Sequence, residues 1–293
     1  GERCLPPEYE RCMLALSPRG SSSMELREFD FRTGDFVAGG FRTAANRAFV
    51  AWLNRDTLLI AHSLEGSPAL PSNFPAVARL WKRGTPLAAA KAVYRAPENA
   101  SFMLPAALGS GKDRRGLLPV ALSYTSIELK LVEQDGTVSD ILLPSDIKYQ
   151  GPAVLAYPYV VVQRGKDAMI GGTAYPAEAI IAYDIRKETK PDRRIGLVHR
   201  PADGAFVTDG TSGFGAVRSG IAFIENIALR RSLVLARPGR GGWTNETLEQ
   251  AEPGVRLSIA STDRVSDDIL VSREGFLESE TQRVPAADQR HRV

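Results

Sequence analysis

The stretch Phe49–Ala96 constrains the fold most, because it has the pattern of four short strands in succession. Phe49–Leu53 alternates large apolar residues with small ones, and Thr57–His62 is rich in Leu and Ile. Val77–Lys82 is interpreted as a strand that alternates inside and outside with a period of two, as a half-buried strand does. Lys91–Arg95 completes the set as a short edge strand. Four antiparallel strands in about fifty residues are the size of one propeller blade, whose usual period is about 40 to 50 residues.

Similar strand patterns continue along the rest of the chain and predict an all-β fold, a β-propeller of about six four-stranded blades. Helical periodicity is absent, and the best helical candidate, Pro86–Val93, makes one or two turns at most. Ala216–Ile224 is predicted as one strand, and the first unit has no first strand or a very short one. A β-sandwich would need far fewer than the roughly two dozen strands that six such units imply. The predicted blades of one incomplete propeller domain, 1–293, are approximately residues 1–40, 41–96, 97–144, 145–201, 202–250 and 251–293.

The composition is that of an ordinary globular chain, since 43% of the 293 residues are hydrophobic and 24% are charged. The formal net charge of +3 is small for this length, so we predict neither a nucleic-acid partner nor a membrane partner. The longest apolar run, Ala153–Val162, contains Pro158 and falls short of the roughly 18 residues that span a bilayer. No signal peptide is visible, and the compartment is left open. Three basic pairs are predicted to lie in solvated loops: Arg114-Arg115, Arg193-Arg194 and Arg230-Arg231.

The chain has two cysteines, Cys4 and Cys12. They could form a disulfide if Cys4 folds back beside the strand that starts at Cys12. We favour the alternative of two free thiols, with Cys12 buried as a small hydrophobic residue. Two cysteines cannot form a zinc site alone, and no histidine lies near them in the sequence.

The most specific residues of the opening blade resemble a known family. Phe49–Leu53, Asp56–Leu59 and the string Leu80–Leu87, which includes Trp-Lys-Arg-Gly-Thr-Pro-Leu, resemble the β-propeller of the bacterial branch of the prolyl oligopeptidase family. The resemblance covers nearly the whole chain. Further matching segments are Arg27–Asp30 with Phe36-Val37, Gly171–Ala177 followed by Ile180–Asp184, Gly241–Thr244, Ser261–Asp263 with Ser266-Asp267, and Gly275–Leu277.

The chain also departs from the family pattern at three places. Glu178 stands where the family hairpin tends to have Gly. The residues after Leu277 lack the usual proline and Leu-Tyr ending, and Phe102–Leu118 matches poorly. These departures affect the edges of the third and sixth predicted blades.

The resemblance implies a seven-bladed propeller above an α/β-hydrolase domain that carries the catalytic serine, aspartate and histidine. The chain ends at Val293, where that domain is expected to start, and it lacks an equivalent of the first blade. We therefore expect the last six blades of the propeller of a serine peptidase that cleaves short peptides after proline. The expected partners are the α/β-hydrolase domain of the same parent protein and short peptide substrates, whose entry the propeller gates.

A free-standing propeller that binds a protein or small-molecule ligand is the alternative, because fold alone does not determine function. The open reading frame beyond Val293 distinguishes the two. A Gly-x-Ser-x-Gly sequence further along the frame favours the peptidase, and a stop codon favours the binding module.

The chain has no recognisable catalytic motif. The Gly-x-Ser-x-Gly pentapeptide of a nucleophile elbow does not occur, and the nearest sequence, Gly210–Gly213, lacks its spacing. His62, His199 and His291 are far apart in the sequence. We therefore predict no catalytic, cofactor-binding or metal-binding residues, no cofactor, and no peptidase activity for this chain by itself.

Two short motifs are better explained as turns. Gly109–Lys112 is similar to part of a phosphate-binding loop, but that motif requires Gly at position 106 and Ser or Thr at position 113, where the chain has Ala106 and Asp113. Asp135-Gly136 has the signature of a hairpin turn, and the alternating oxygen ligands of a calcium loop are missing. Both segments are predicted to be turns.

Aromatic residues and glycosylation sequences give weaker indications. Trp52, Trp81 and Trp243 could stack on a sugar or a base, but the first two lie in apolar strand patterns and are predicted to pack in the core. Asn99–Ser101 and Asn245–Thr247 match the acceptor pattern for N-glycosylation, a pattern that occurs often by chance.

Overall fold

The computed structural model of the chain describes residues 3–20, 23–123, 126–143, 154–170, 172–186, 189, 193–208, 213–276 and 279–284. The chain divides into two compact units, Gly1–Ser145 (unit 1) and Asp146–Val293 (unit 2). In the described part of both units, regular structure consists of antiparallel strands and of three short 3-10 turns, at Pro18–Gly20, Leu87–Ala89 and Gly111–Asp113. The predicted all-β fold with very little helix is confirmed.

Unit 1 contains three sheets within its described residues. Its strands are β1 (Arg11–Leu16), β2 (Glu25–Asp30), β3 (Asp35–Phe36), β4 (Ala48–Asn54), β5 (Thr57–His62), β6 (Val77–Lys82), β7 (Lys91–Arg95), β8 (Phe102–Met103), β9 (Ala106–Leu108), β10 (Arg115–Ser123), β11 (Ser126–Val132) and β12 (Val138–Ile141). The sheet orders are β1-β2-β3, β4-β5-β6-β7 and β12-β11-β10-β8, with β9 also paired to β10. The four strands expected between residues 49 and 96 are confirmed, and the last three have the predicted bounds.

Unit 2 contains three larger sheets and one separate hairpin within its described residues. Its strands are β13 (Val154–Ala156), β14 (Tyr159–Gln163), β15 (Ala168–Ile170), β16 (Thr173–Tyr175), β17 (Ile180–Asp184), β18 (Ile195–His199), β19 (Ala205–Val207), β20 (Phe214–Val217), β21 (Gly220–Ile227), β22 (Arg230–Gly239), β23 (Gly242–Gln250), β24 (Arg256–Thr262), β25 (Ile269–Glu274) and β26 (Thr281–Arg283). The sheet orders are β13-β14-β17-β18, β15-β16, β19-β21-β22-β23 with β20 on β21, and β24-β25-β26.

Strand β5 is packed on both of its faces. All six of its residues are buried, so its sequence shows an apolar run rather than a strict alternation. Leu58 and Ile60 belong to a core cluster that also contains Phe41, whereas Leu59 and Ala61 face a second cluster. A sheet packed on both faces therefore buries every position of its inner strands. Each fully buried large aliphatic side chain contributes about 1.5–3 kcal/mol to stability.

The single strand predicted over Ala216–Ile224 is wrong, because a turn separates β20 from β21. The backbone N–H of Ser219 in this turn donates to the Asp267 carboxylate at 2.8 Å. The next residue must be glycine, since a Cβ at Gly220 would lie 2.0 Å from the carbonyl oxygen of Ala236. Strand β18 was not predicted, because its Gly196 and exposed Leu197 do not give a strand pattern.

The free-thiol interpretation of the cysteines is also wrong, because Cys4 and Cys12 form a disulfide. The leading segment folds back beside β1, as the alternative required. The Leu5 N–H donates to the Arg11 carbonyl at 2.8 Å, and the Met13 N–H donates to the Arg3 carbonyl at 2.8 Å. This pairing brings the two sulfur atoms together, and Cys12 is buried as expected.

The prediction that Arg114 lies in a solvated loop is wrong. Its side chain is 1% exposed. The guanidinium Nε donates to the Trp52 carbonyl at 2.6 Å, and Nη1 donates to the Gly109 carbonyl at 2.7 Å. The cation is buried because it satisfies backbone acceptors that a sequence pattern does not reveal.

The number of blades and their limits stay predictions. Within the described residues every sheet is open, and none closes on itself. In the same residues, no helix has the length and apolar character needed to cross a bilayer. Several residues named in the sequence analysis lie outside those that the structure describes: Ala153 at the start of the longest apolar run, Gly171 and Leu277 in the segments that match the family, Gly210–Ser212 and His291.

Candidate functional site

A fully buried carboxylate, Glu28, organises the charged residues of unit 1. Arg83 holds it with two hydrogen bonds, from Nη1 to Oε2 at 2.8 Å and from Nη2 to Oε1 at 3.0 Å. The Phe41 N–H donates to Oε2 at 2.9 Å, and Arg11 Nη1 lies 3.4 Å from Oε1. Burial lowers the pKa of Arg83, but its contacts with Glu28 and Asp56 outweigh burial and raise it overall. Every lone-pair region of the buried carboxylate therefore has a donor.

A charged cavity of about 350 Å³ lies next to this network, and Arg11 contributes to both. The residues that line it come from three separate segments of unit 1: Leu5, Glu8, Glu10, Arg11, Asp30, Arg32 and Arg55. Its volume is at the lower end of the roughly 300–1,000 Å³ of small-molecule sites. We call it the Arg55 cavity. It is the candidate binding site of unit 1, and the sequence analysis had not assigned a binding role to any of the residues that line it.

His199 in unit 2 is held by side chains from two other strands. Its Nε2 lies 2.7 Å from the Glu225 carboxylate, and its Nδ1 lies 2.9 Å from the side-chain nitrogen of Asn245. The neutral ring satisfies both contacts if Nε2 donates and Nδ1 accepts. The ring also packs on Phe223, with 4.7 Å between the ring centroids. Both ring nitrogens are thus occupied, and neither is free to take a proton from a nucleophile.

His62 lies in unit 1 and is 4% exposed. Its Nε2 is 3.3 Å from the Ala44 carbonyl, and its Nδ1 has no hydrogen-bond partner among the described residues. Burial lowers the pKa of His62, and the charge of Arg79 lowers it further against the contact with Ala44. The ring is therefore neutral and enclosed, which suits a packing role.

The two motifs interpreted as turns are confirmed as turns. Gly111–Asp113 forms a 3-10 turn, and the Gly109 carbonyl accepts a hydrogen bond from the Arg114 side chain. At the Asp135-Gly136 hairpin, the Asp135 carboxylate accepts the Thr137 N–H at 2.8 Å, and Gly136 has a φ of 91°. A positive φ at this position favours glycine.

The core positions expected for two of the tryptophans are confirmed. Trp52 is fully buried and Trp81 is 5% exposed. Trp243 is half-buried and packs against Tyr159, with 5.1 Å between the ring centroids. Asn245, the first residue of one possible glycosylation sequence, has its side-chain nitrogen on His199. The side-chain amide of Asn245 is therefore engaged in a hydrogen bond within the fold.

Glu178 lies at the base of the β15-β16 hairpin and has a φ of 65°. This left-handed conformation explains why the resembling family tends to have glycine there, since an L side chain costs about 1–2 kcal/mol in it. The glutamate carboxylate accepts the Gln163 side-chain N–H at 2.9 Å, and its backbone N–H donates to the Arg164 carbonyl at 3.1 Å. The side chain thus offsets part of the backbone cost by fixing the hairpin to β14.

In the described ranges, no group of three or more His, Cys, Asp or Glu residues is placed to hold a metal ion. The chemistry that the arrangement offers is recognition of charged groups at the Arg55 cavity. The expectation that the chain carries no catalytic, cofactor-binding or metal-binding residue stays a prediction.

The succession of antiparallel sheets is that of a β-propeller, and it resembles the propeller region of prolyl oligopeptidase-type peptidases. A post-proline cleaving enzyme from Rickettsia typhi superimposes with a TM-score of 0.80 at 16% identity, over 98% of this chain and 44% of that enzyme. A prolyl endopeptidase superimposes with a TM-score of 0.66 at 10% identity, over 97% of this chain and 42% of the other. These two matches show the fold.

The sequence comparison leads to peptidases as well. The uncharacterized peptidase y4nA of Sinorhizobium fredii is 26% identical over 292 residues, which cover 96% of this chain. No protein-family model matches the chain. The aligned part is 39% of the relative, so this chain spans well under half the length of the peptidase that it resembles.

Proposed function

We propose that the chain is the propeller part of a prolyl oligopeptidase-like serine peptidase that cleaves short peptides after proline. In this proposal an α/β-hydrolase domain of the same protein carries the catalytic serine, aspartate and histidine. The propeller covers that active site and admits short, unfolded peptides while excluding larger ones, as a lid does.

The observation that carries the proposal is the unequal coverage of the structural match. Nearly all of this chain, 98%, corresponds to 44% of a post-proline cleaving enzyme. Such coverage is expected when a chain corresponds to one domain of a larger peptidase. The geometry is consistent with this division of labour, because both ring nitrogens of His199 are occupied and His62 is enclosed.

Activity assays on two proteins test the proposal. One is the 293-residue chain, and the other is the product of the complete reading frame that contains it. Each is incubated with a chromogenic Gly-Pro substrate and with a serine-reactive phosphonate. We expect turnover and labelling for the longer protein alone, at a serine outside residues 1–293. Labelling of a serine within this chain, or a reading frame that stops directly after Val293, would overturn the proposal and favour a free-standing binding module.

The gating role needs its own measurement. Peptides of increasing length that share one cleavage sequence are compared as substrates of the longer protein by kcat/KM. We expect kcat/KM to fall steeply with length, because a long or folded substrate cannot pass the propeller. Equal values for short and long peptides would contradict gating while leaving the peptidase assignment intact.

A further inference from the structure

The Arg55 cavity contains equal numbers of positive and negative side chains. Three arginines, two glutamates and one aspartate line it, together with a single apolar residue, Leu5. A site for an anion such as phosphate would have an excess of cations. The balance in this cavity instead suits a ligand that carries one charge of each sign.

Four of the six charged residues already have partners in the cavity wall. Arg11 Nη2 lies 3.0 Å from the Asp30 carboxylate. The exposed Arg32 lies 3.9 Å from both Asp30 and Glu10, so its contacts are loose. These four residues neutralise one another and form a polar floor.

The other two charged residues, Glu8 and Arg55, are free. Both are exposed, and within the described residues neither the Glu8 carboxylate nor the Arg55 guanidinium has a hydrogen-bond or ion-pair partner. One unpaired anion and one unpaired cation therefore line the same small cavity. An ammonium group matches the first, and a carboxylate matches the second, because arginine binds carboxylates with two parallel hydrogen bonds.

Both residues stand on backbone that the fold holds in place. Glu8 lies in the short loop that the Cys4–Cys12 disulfide closes, and the Tyr9 N–H donates to the Leu5 carbonyl at 3.0 Å within that loop. Arg55 lies in the β4-β5 turn, where its carbonyl accepts from Arg83 Nη2 at 2.7 Å. Since Glu28 fixes Arg83, the buried network also positions the turn that carries Arg55.

We infer that the Arg55 cavity binds a free dipeptide in its zwitterionic form. Arg55 binds the terminal carboxylate, Glu8 binds the terminal ammonium, and the floor of paired charges faces the peptide unit. The volume of about 350 Å³ accommodates a ligand of the size of a dipeptide. The inference does not rest on the proposed function, because that proposal assigns no role to the residues that line the cavity.

Saturation-transfer NMR and calorimetry on the 293-residue chain test this inference with three probes. The probes are L-alanyl-L-alanine, its N-acetyl derivative and its C-terminal amide. We expect the zwitterion to bind, and either modification to weaken binding by about tenfold or more, as expected for the loss of a charge-assisted hydrogen bond. Equal binding of all three probes, or no binding of the zwitterion, would overturn the inference.

Two variants connect each charge to its end of the ligand. Arg55→Gln should weaken binding of the two probes with a free carboxylate and leave the amide unchanged. Glu8→Gln should weaken binding of the two probes with a free ammonium and leave the acetyl derivative unchanged. Arg240→Gln and Glu65→Gln, at exposed positions outside the cavity, are matched controls that should not alter binding. Variants that weaken all three probes equally while keeping the wild-type melting temperature would refute the assignment of the two ends.

Discussion

Glu28→Gln tests the charged network of unit 1 most directly. Four donors reach the two carboxylate oxygens in the structure, two from Arg83 and one each from Arg11 and the Phe41 backbone. Glutamine keeps the shape of the side chain, but its amide nitrogen replaces one acceptor position with a donor. Two of the four contacts are therefore lost in either orientation of the amide.

The cost follows from what remains around the two cations. Removing one partner of a buried ion pair destabilises a protein by about 3–5 kcal/mol. Arg83 retains Asp56 at 3.0 Å, and Arg11 retains Asp30 at 3.0 Å, so neither cation is left without an anion. We therefore expect the lower end of that range, a loss of about 3 kcal/mol in the free energy of unfolding.

Urea unfolding followed by tryptophan fluorescence measures this loss, with midpoints compared at a common m-value. Trp52 and Trp81 report on the core of unit 1. The matched control is Glu25→Gln on the same strand. Glu25 pairs with Arg42 at 2.7 Å, but the Arg42 side chain is 64% exposed, so its loss should cost about 1 kcal/mol or less. If Glu28→Gln costs no more than Glu25→Gln, the reasoning about the buried network is refuted.

Three further predictions concern stability. The Glu178→Gly variant should be more stable than Glu178→Ala by about 1 kcal/mol. Both variants lose the hydrogen bond to Gln163, but only glycine relieves the backbone strain at the φ of 65°. Equal urea midpoints of the two variants would contradict this. Burial places the pKa of folded His62 below 6.5, so the unfolded state binds more protons and stability falls as the pH drops through 6.5. His62→Gln should flatten that part of the melting-temperature profile, and an unchanged slope would contradict the assignment. Reduction of the Cys4–Cys12 disulfide, whose cysteines are 8 residues apart, should lower the free energy of unfolding by about 2–3 kcal/mol. Equal urea midpoints with and without reductant would show that the disulfide does not stabilise the fold.

Local sequence patterns were enough to predict short strands between turns, and the turns with special backbone. The expected alternation of Val77–Lys82 is wrong, because four of its six residues are buried, but its bounds are as predicted. Val77–Lys82 and the Asp135-Gly136 hairpin are examples, since each signal lies within a few residues. Strand β18 lacked such a signal. Gly220, which follows the turn and lies close to the Ala236 carbonyl, looked in sequence like the interior of a strand.

The candidate site could not be predicted, because its geometry depends on contacts between distant parts of the chain. Glu28 is buried through Arg83, which lies 55 residues further along. The Arg55 cavity joins one loop, the end of β2 and a turn, and no single segment carries more than part of it. A charged residue in a sequence gives no sign of whether it is paired, buried or free until these segments meet.

The buried guanidinium of Arg114 has a consequence for how unit 1 opens. It binds the Trp52 carbonyl, and the Trp52 indole N–H donates to the Arg3 carbonyl at 2.8 Å. One residue of β4 is therefore bonded both to the segment before β10 and to the segment beside β1. In an ordinary repeat array each repeat depends on its neighbours alone, and opening can start at an end and stop after one repeat. Here, separating the Arg3 segment from β4 leaves the buried indole N–H of Trp52 unpaired, and separating Arg114 from β4 removes the acceptor of its buried Nε. The sheets should therefore exchange their amide hydrogens together, as a single cooperative unit, rather than one after another from the chain terminus.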